Sequence, residues 1–107
     1  MPFYLIQASY GAQTTASMIK NPQDRAAAIR PMIERMGGKL HGLWLAFGEY
    51  DVVAIAEVPD NVSAAALSMA IGASGAMGSY RTTPLITPAE ATAAMKKAAA
   101  AGYQPPK

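Results

Sequence analysis

Two β-rich runs, 39–47 (KLHGLWLAF) and 52–58 (VVAIAEV), are separated only by Gly48-Glu49-Tyr50-Asp51. Runs of this kind around a short glycine-led turn fold back on each other as an antiparallel hairpin. A turn at Gly48–Asp51 pairs Phe47 with Val52, Leu45 with Ala54, Leu43 with Ala56 and His41 with Val58. Side chains alternate across a strand. One face then carries His41, Leu43, Leu45 and Phe47 with Val52, Ala54, Ala56 and Val58, and is expected to lie beneath helices. The other carries Gly42, Trp44, Ala46, Val53, Ile55 and Glu57, and is expected to be open or to meet a partner. A one-residue slip would exchange the two faces.

The remaining elements fit around this hairpin. Phe3 to Tyr10 reads as a first strand, begun after Pro2 and ended by Gly11. Thr14 to Lys20 reads as a short helical turn. Asn21-Pro22 opens a helix with Asp24 in its first turn. Ala26, Ile29, Ile33 and Met36 repeat along one face of it. Pro31 is expected to kink or split this helix near Arg30, and Gly37-Gly38 stops it. Asp60 or Asn61 caps a helix to about Ala73, with Val62, Ala65, Ala66 and Met69 expected to be buried. Ser79 to Ile86 is a fourth strand, placed at an edge or bulge by Pro84. Thr87-Pro88-Ala89-Glu90 has the form of a capping box. The alanine-rich helix 88–101 follows, then the extended tail 102–107.

The order β-α-β-β-α-β-α reads as a single domain over residues 1–107. Its first six elements match an α+β, ferredoxin-like βαββαβ unit with a four-stranded antiparallel sheet and an extra C-terminal helix. Both helices of such a unit lie on one sheet face. A second copy over the other face makes a dimeric α/β barrel. Composition points the same way. Of 107 residues, 51% are apolar and only 15% charged, against about a quarter charged in typical domains. Apolar surface is therefore expected to be buried in a homodimer or higher oligomer.

Several classes are excluded on the same grounds. Apolar runs are far shorter than the ~20 residues of a membrane span, and none has a signal-peptide layout. Nine Lys/Arg against seven Asp/Glu form no basic stripe, so no nucleic-acid partner is expected. The absence of cysteine removes disulfides and thiolate chemistry and favours the cytoplasm. One histidine precludes a metal site with two histidines from a single chain. No metal or cofactor is expected.

Gly48-Glu49-Tyr50-Asp51-Val52-Val53, with Gly37-Gly38-Lys39-Leu40 before it and Glu57-Val58-Pro59-Asp60 after it, resembles the GYD domain family. Arg81-Thr82-Thr83-Pro84-Leu85, Thr87-Pro88-Ala89-Glu90 and the ending Gly102-Tyr103-Gln104-Pro105-Pro106 extend the resemblance over about residues 3 to 106. It implies the ferredoxin-like, dimeric α/β-barrel architecture and no particular reaction. Barrels of this general type include monooxygenases, isomerases and haem-degrading proteins, an analogy of fold only.

Glu57 and His41 are the catalytic candidates. Burial would raise the Glu57 pKa and suit a general base, whereas a pair with Arg81 would keep it ionised and structural. His41, near a strand end, reads as a base, a haem ligand or a structural histidine. Trp44 offers a planar stacking surface or an interface anchor. Gly42 leaves space for a ligand or a partner backbone. Tyr50 and Asp51 read as a pocket rim or as turn chemistry. The ligand-binding candidates are thus Trp44, Glu57, Tyr50, Asp51, Gly42 and Arg81. The first functional reading is a homo-oligomer binding a small apolar or aromatic molecule between sheet and partner. Proton transfer or cofactor-independent oxygen chemistry is the class to test if it is an enzyme. The alternative is an assembly module whose C-terminal helix and tail wrap a neighbouring copy.

Overall fold

A computed structural model describes residues 1–107, which form β1 (Phe3–Tyr10), α1 (Ala12–Lys20), α2 (Arg25–Arg35), β2 (Lys39–Leu45), β3 (Val52–Glu57), α3 (Asn61–Ala73), β4 (Met77–Leu85) and α4 (Pro88–Ala99). The strands make one antiparallel sheet in the order β2-β3-β1-β4. This is the α+β, ferredoxin-like arrangement. Strands β1 and β3 are central, and Pro84 lies in an edge strand, where a missing N–H is tolerated.

Strict alternation on the two central strands sets the core. Tyr4, Ile6 and Ala8 of β1 and Val52, Ala54 and Ala56 of β3 are buried on one face. Ile33 of α2, Leu40 of β2 and Ala64 and Leu67 of α3 close over them. Each large aliphatic side chain buried here contributes about 1.5–3 kcal/mol. The Tyr4 hydroxyl sits inside this layer and donates to Asn61 Oδ1 at 2.5 Å, which fastens β1 to the start of α3.

Helix α2 begins three residues later than the Asn21-Pro22 signal suggests. Asp24 is its cap: Oδ1 accepts from the N–H groups of Ala26 and Ala27. Asn21 instead ends α1, donating its N–H to the Ser17 carbonyl. The helix also runs unbroken through Pro31. Ala27 and Pro31 both lie on its exposed side, where the carbonyl that proline leaves free is open to solvent. Ala26, Ile29 and Met36 pack on the core beside Ile33, as their spacing requires. Gly37 then takes φ +80°, and Gly38 lets the chain pass directly over the end of β3. A Cβ at Gly38 would collide with the Glu57 carbonyl oxygen and stand 2.9 Å from Val58 Cγ1.

The hairpin departs from the four-residue turn. Leu45 pairs with Val52 and Leu43 with Ala54, so residues 46–51 form the connection. Asp51 explains this. Its N–H donates to the Ala8 carbonyl, and its carboxylate accepts from Tyr10 N–H at 3.0 Å, so it is committed to β1. The pairing shifts again at His41, an extra residue between Leu40 (opposite Ala56) and Gly42 (opposite Ile55). This bulge turns Leu40 into the core and His41 out to the open face. His41 is therefore not on the helix-covered face, and Phe47 is fully exposed in the loop rather than packed beneath helices.

Helix α3 buries Ala64 and Leu67, with Ile71 packed alongside, while Val62 and Met69 are 78% and 73% exposed. The helix is apolar nearly all round, so spacing alone permits more than one buried stripe. Docking on β4, marked by Ser68 Oγ 3.0 Å from Thr82 Oγ1, selects this one.

Helix α4 has a complete capping box: Thr87 Oγ1 accepts from Glu90 N–H, and Glu90 Oε1 accepts from Thr87 N–H. Yet it buries no residue. With the tail it lengthens the molecule to 57 Å and raises the radius of gyration to 17.1 Å, against about 13 Å for a packed chain of this size.

Backbone N–H groups donated by Ser63 and Thr87 hold the Asp60 and Glu90 carboxyls below their ordinary values of 3.8 and 4.5. Depressed folded-state values mean that both caps stabilise fully above those ordinary values and lose their effect as pH falls through the lower folded ones. Helical circular dichroism should therefore decline on acidification below about pH 4, and Glu90→Ala should lower it already at pH 7. Gly38→Ala should cost about 1–3 kcal/mol in urea unfolding; an unchanged midpoint would contradict the close approach described above.

Candidate functional site

The sheet face away from the helices carries Phe3, Leu5 and Gln7 of β1, Val53, Ile55 and Glu57 of β3, and Gly42 and Trp44 of β2. β4 adds Arg81, Thr83 and Leu85, in register with Gln7, Leu5 and Phe3. The face is apolar at its centre and partly exposed throughout.

One corner gathers the ionisable groups. The bulge brings His41 Nε2 within 2.6 Å of Glu57 Oε1, with the two side chains 33% and 20% exposed. The Phe3 ring stacks on the imidazole, centroids 5.1 Å apart and planes at 24°. Beside this pair lies an open concavity of ≈ 440 Å³ lined by Phe3, His41, Ile55, Leu85, Ile86 and Thr87. A carboxylate on one ring nitrogen orients an imidazole and leaves the other nitrogen for a ligand. The arrangement can therefore accept or donate a hydrogen bond at the edge of an apolar surface, and can move a proton there.

Arg81 is not the partner of Glu57. It stands opposite Gln7, whereas Glu57 stands opposite Phe3. Four residues along a strand separate those positions, about 13 Å. Gly42 does not open a free space either. A Cβ there would stand 2.5 Å from Trp44 Cη2, because the indole folds back over the glycine. Trp44 is 56% exposed. Tyr50 lies at the other end of the face, in a shallow concavity of ≈ 500 Å³ with Gln7, Leu45, Phe47, Glu49 and Val53. Asp51 joins no pocket rim with it; its carboxylate ties the loop to β1. The structure thus brings Glu57 and His41 together and leaves Tyr50, Asp51 and Arg81 elsewhere. Phe3, Leu85 and Ile86 complete the corner. Their approach depends on the β1 pairings with β3 and β4, which no local sequence signal reveals. No three His, Asp or Glu side chains converge in the chain, and no helix is long and apolar enough to cross a membrane.

The family model described as "GYD domain" matches residues 4–95. The chain belongs to the GYD domain family. The solved structure described as "crystal structure of FFRP-DM1" shares the fold, with a TM-score of 0.55 at 14% identity over 80% of this chain and 100% of that one. No curated protein matches the chain. In this GYD domain, the aspartate of the Gly48–Asp51 signature is a backbone clasp between a hairpin loop and a central strand. Removing it as Asp51→Ala should cost about 1–3 kcal/mol in urea unfolding and speed amide exchange at Tyr10. Asp51→Asn, which keeps an accepting oxygen, should cost less. Equal stability of Asp51→Ala and the parent would rule out the clasp.

Proposed function

We propose that this GYD domain acts as a homo-oligomeric α/β barrel. A second copy covers the open sheet face, and a small apolar or aromatic molecule with a hydrogen-bonding group is held at the His41–Glu57 corner. The carrying observation is that pair itself: a carboxylate–imidazole hydrogen bond lies on an apolar, uncovered sheet face, with an aromatic ring stacked on it. The partly exposed Phe3, Leu5, Val53 and Ile55 are the kind of surface that a partner covers, and Trp44 is the large aromatic expected near an interface centre. Glu57 orients the imidazole, and His41 meets the ligand.

Helix α4 supports a second reading, an assembly module without chemistry. A helix of its length is marginal in water when unpacked, and none of its residues is buried. Docking on a neighbouring copy would supply the missing contacts.

Sedimentation equilibrium should show a dimer or larger species, and Trp44→Glu should shift it toward monomer. A hydroxylated aromatic such as naphthol should quench Trp44 fluorescence saturably. Glu57→Gln and His41→Ala should weaken that binding at least fivefold without changing subunit number. Oligomers that bind no such molecule would leave the assembly reading alone; a monomeric parent protein would exclude both.

A further inference from the structure

The residues of the open face also line up across the sheet. Trp44 stands opposite Val53, Val53 opposite Gln7, and Gln7 opposite Arg81. These four make one transverse row, with Trp44 on one edge strand and Arg81 on the other. The next row is Gly42, Ile55, Leu5 and Thr83, and the one after it Lys39, Glu57, Phe3 and Leu85. The first row therefore ends in two of the residue types most enriched in protein–protein contacts.

Neither end is used within the chain. Trp44 is 56% exposed, and its ring rests over Gly42, where a Cβ would have no room. Arg81 is exposed and takes part in no ion pair. Three strand spacings separate the two positions, about 14 Å, and the aromatic contact between Phe3 and His41 involves neither. A guanidinium is planar, permanently charged and weakly hydrated, and it stacks on an indole face. The row thus carries both halves of a contact that one copy cannot make with itself.

Twofold symmetry governs how a second copy supplies it, because residue i of one copy then meets residue j of the other, and j meets i. An axis along the strands, above the midline between β3 and β1, lays β2 over the partner's β4 and β3 over the partner's β1. Trp44 then faces the partner's Arg81 and, one row on, Ile55 faces the partner's Leu5. In the third row Lys39 lies over the partner's Leu85, where its alkyl stem packs and its ammonium reaches water. An axis across the strands, through the middle row, lays each strand over its own counterpart. Trp44 then faces the partner's Lys39, and Arg81 is set on the partner's Leu85. The first orientation gives the indole the cation that stacks on it best and leaves on Leu85 the flexible cation that can escape to solvent. Twisted sheets pack about 30° from alignment. At the edge strands this displaces a row by less than the ~7 Å to the next one, within reach of an arginine side chain.

We propose that two copies associate about an axis along the strands, with Trp44 of each copy stacked on the partner's Arg81. The proposal rests on the reading that a second copy covers the open face; it adds the orientation of that copy and the pair that specifies it.

The test measures dimer dissociation constants of the full chain by sedimentation equilibrium, for the parent, Trp44→Leu, Arg81→Gln and the double variant. Both positions are exposed in a single copy, so these variants keep the fold. Each single substitution should weaken the dimer tenfold or more, because two symmetry-related contacts are lost at once. The double variant should be within threefold of Trp44→Leu alone, the mark of a coupled pair. Arg81→Lys should be intermediate. Lys39→Gln should dimerise as the parent does, and its effect should simply add to that of Trp44→Leu. A mixing experiment reads the pairing directly. Trp44→Arg chains carry a cation on both edges and should be monomeric alone, and Arg81→Trp chains should draw them into mixed dimers resolved by native mass spectrometry. Additive losses at Trp44 and Arg81, or no mixed dimers, would overturn the stacked pair while leaving a dimeric parent and the open-face reading intact. Coupling of Trp44 to Lys39 instead of Arg81 would overturn the orientation. A monomeric parent would overturn both the proposal and the reading beneath it.

Discussion

The bonds between Asp51 and the end of β1 govern much of what is distinctive here. Asp51 could have closed a tight turn on its own hairpin. Its N–H and carboxylate are instead taken by Ala8 and Tyr10, and the connection opens to residues 46–51. The β2–β3 pairing then starts at Leu45–Val52. Leu40 still reaches the core, which is met by one extra residue in β2, His41. The imidazole thereby turns onto the face that carries Glu57. The Asp51 contacts fix where the hairpin pairing starts at one end of the sheet, and the His41 bulge decides which ionisable groups meet at the other.

The two sheet faces carry different physics. The helix-covered face is satisfied by packing except around Arg25 and Tyr80, where two polar atoms lack partners. The open face is satisfied in its hydrogen bonds but leaves Phe3, Leu5, Ile55 and Trp44 in contact with water. One side lacks a polar partner and the other lacks an apolar cover.

Element order, sheet type and the capping box at Thr87–Glu90 were legible in the sequence, because each rests on local alternation, helical spacing or a short cap motif. So was the Ala26–Ile29–Ile33–Met36 face. What escaped was non-local. The α3 stripe could not be chosen among apolar residues on all sides of the helix; contact with β4 decides it. The start of α2 lay between two plausible caps, and Asp24 was selected by the bonds it makes. Glu57 was visible as a charge in an apolar strand. Its partner was not, since the His41 bulge answers to the core and leaves no motif. Arg81 looked plausible only while strand register was unknown. Asp51 was legible as a turn residue but not as a link to a distant strand.

The edges of the sheet impose a further consequence. Strand β4 carries Pro84, which presents no N–H, and β2 carries the His41 bulge, which breaks the even spacing of its free backbone groups. Both borders are therefore poor templates for another strand. Copies of this chain at high concentration cannot readily extend the sheet in its own plane, the geometry that leads to open-ended fibres. Any association would be left to the faces and the projecting helix, where contacts can close into a finite particle.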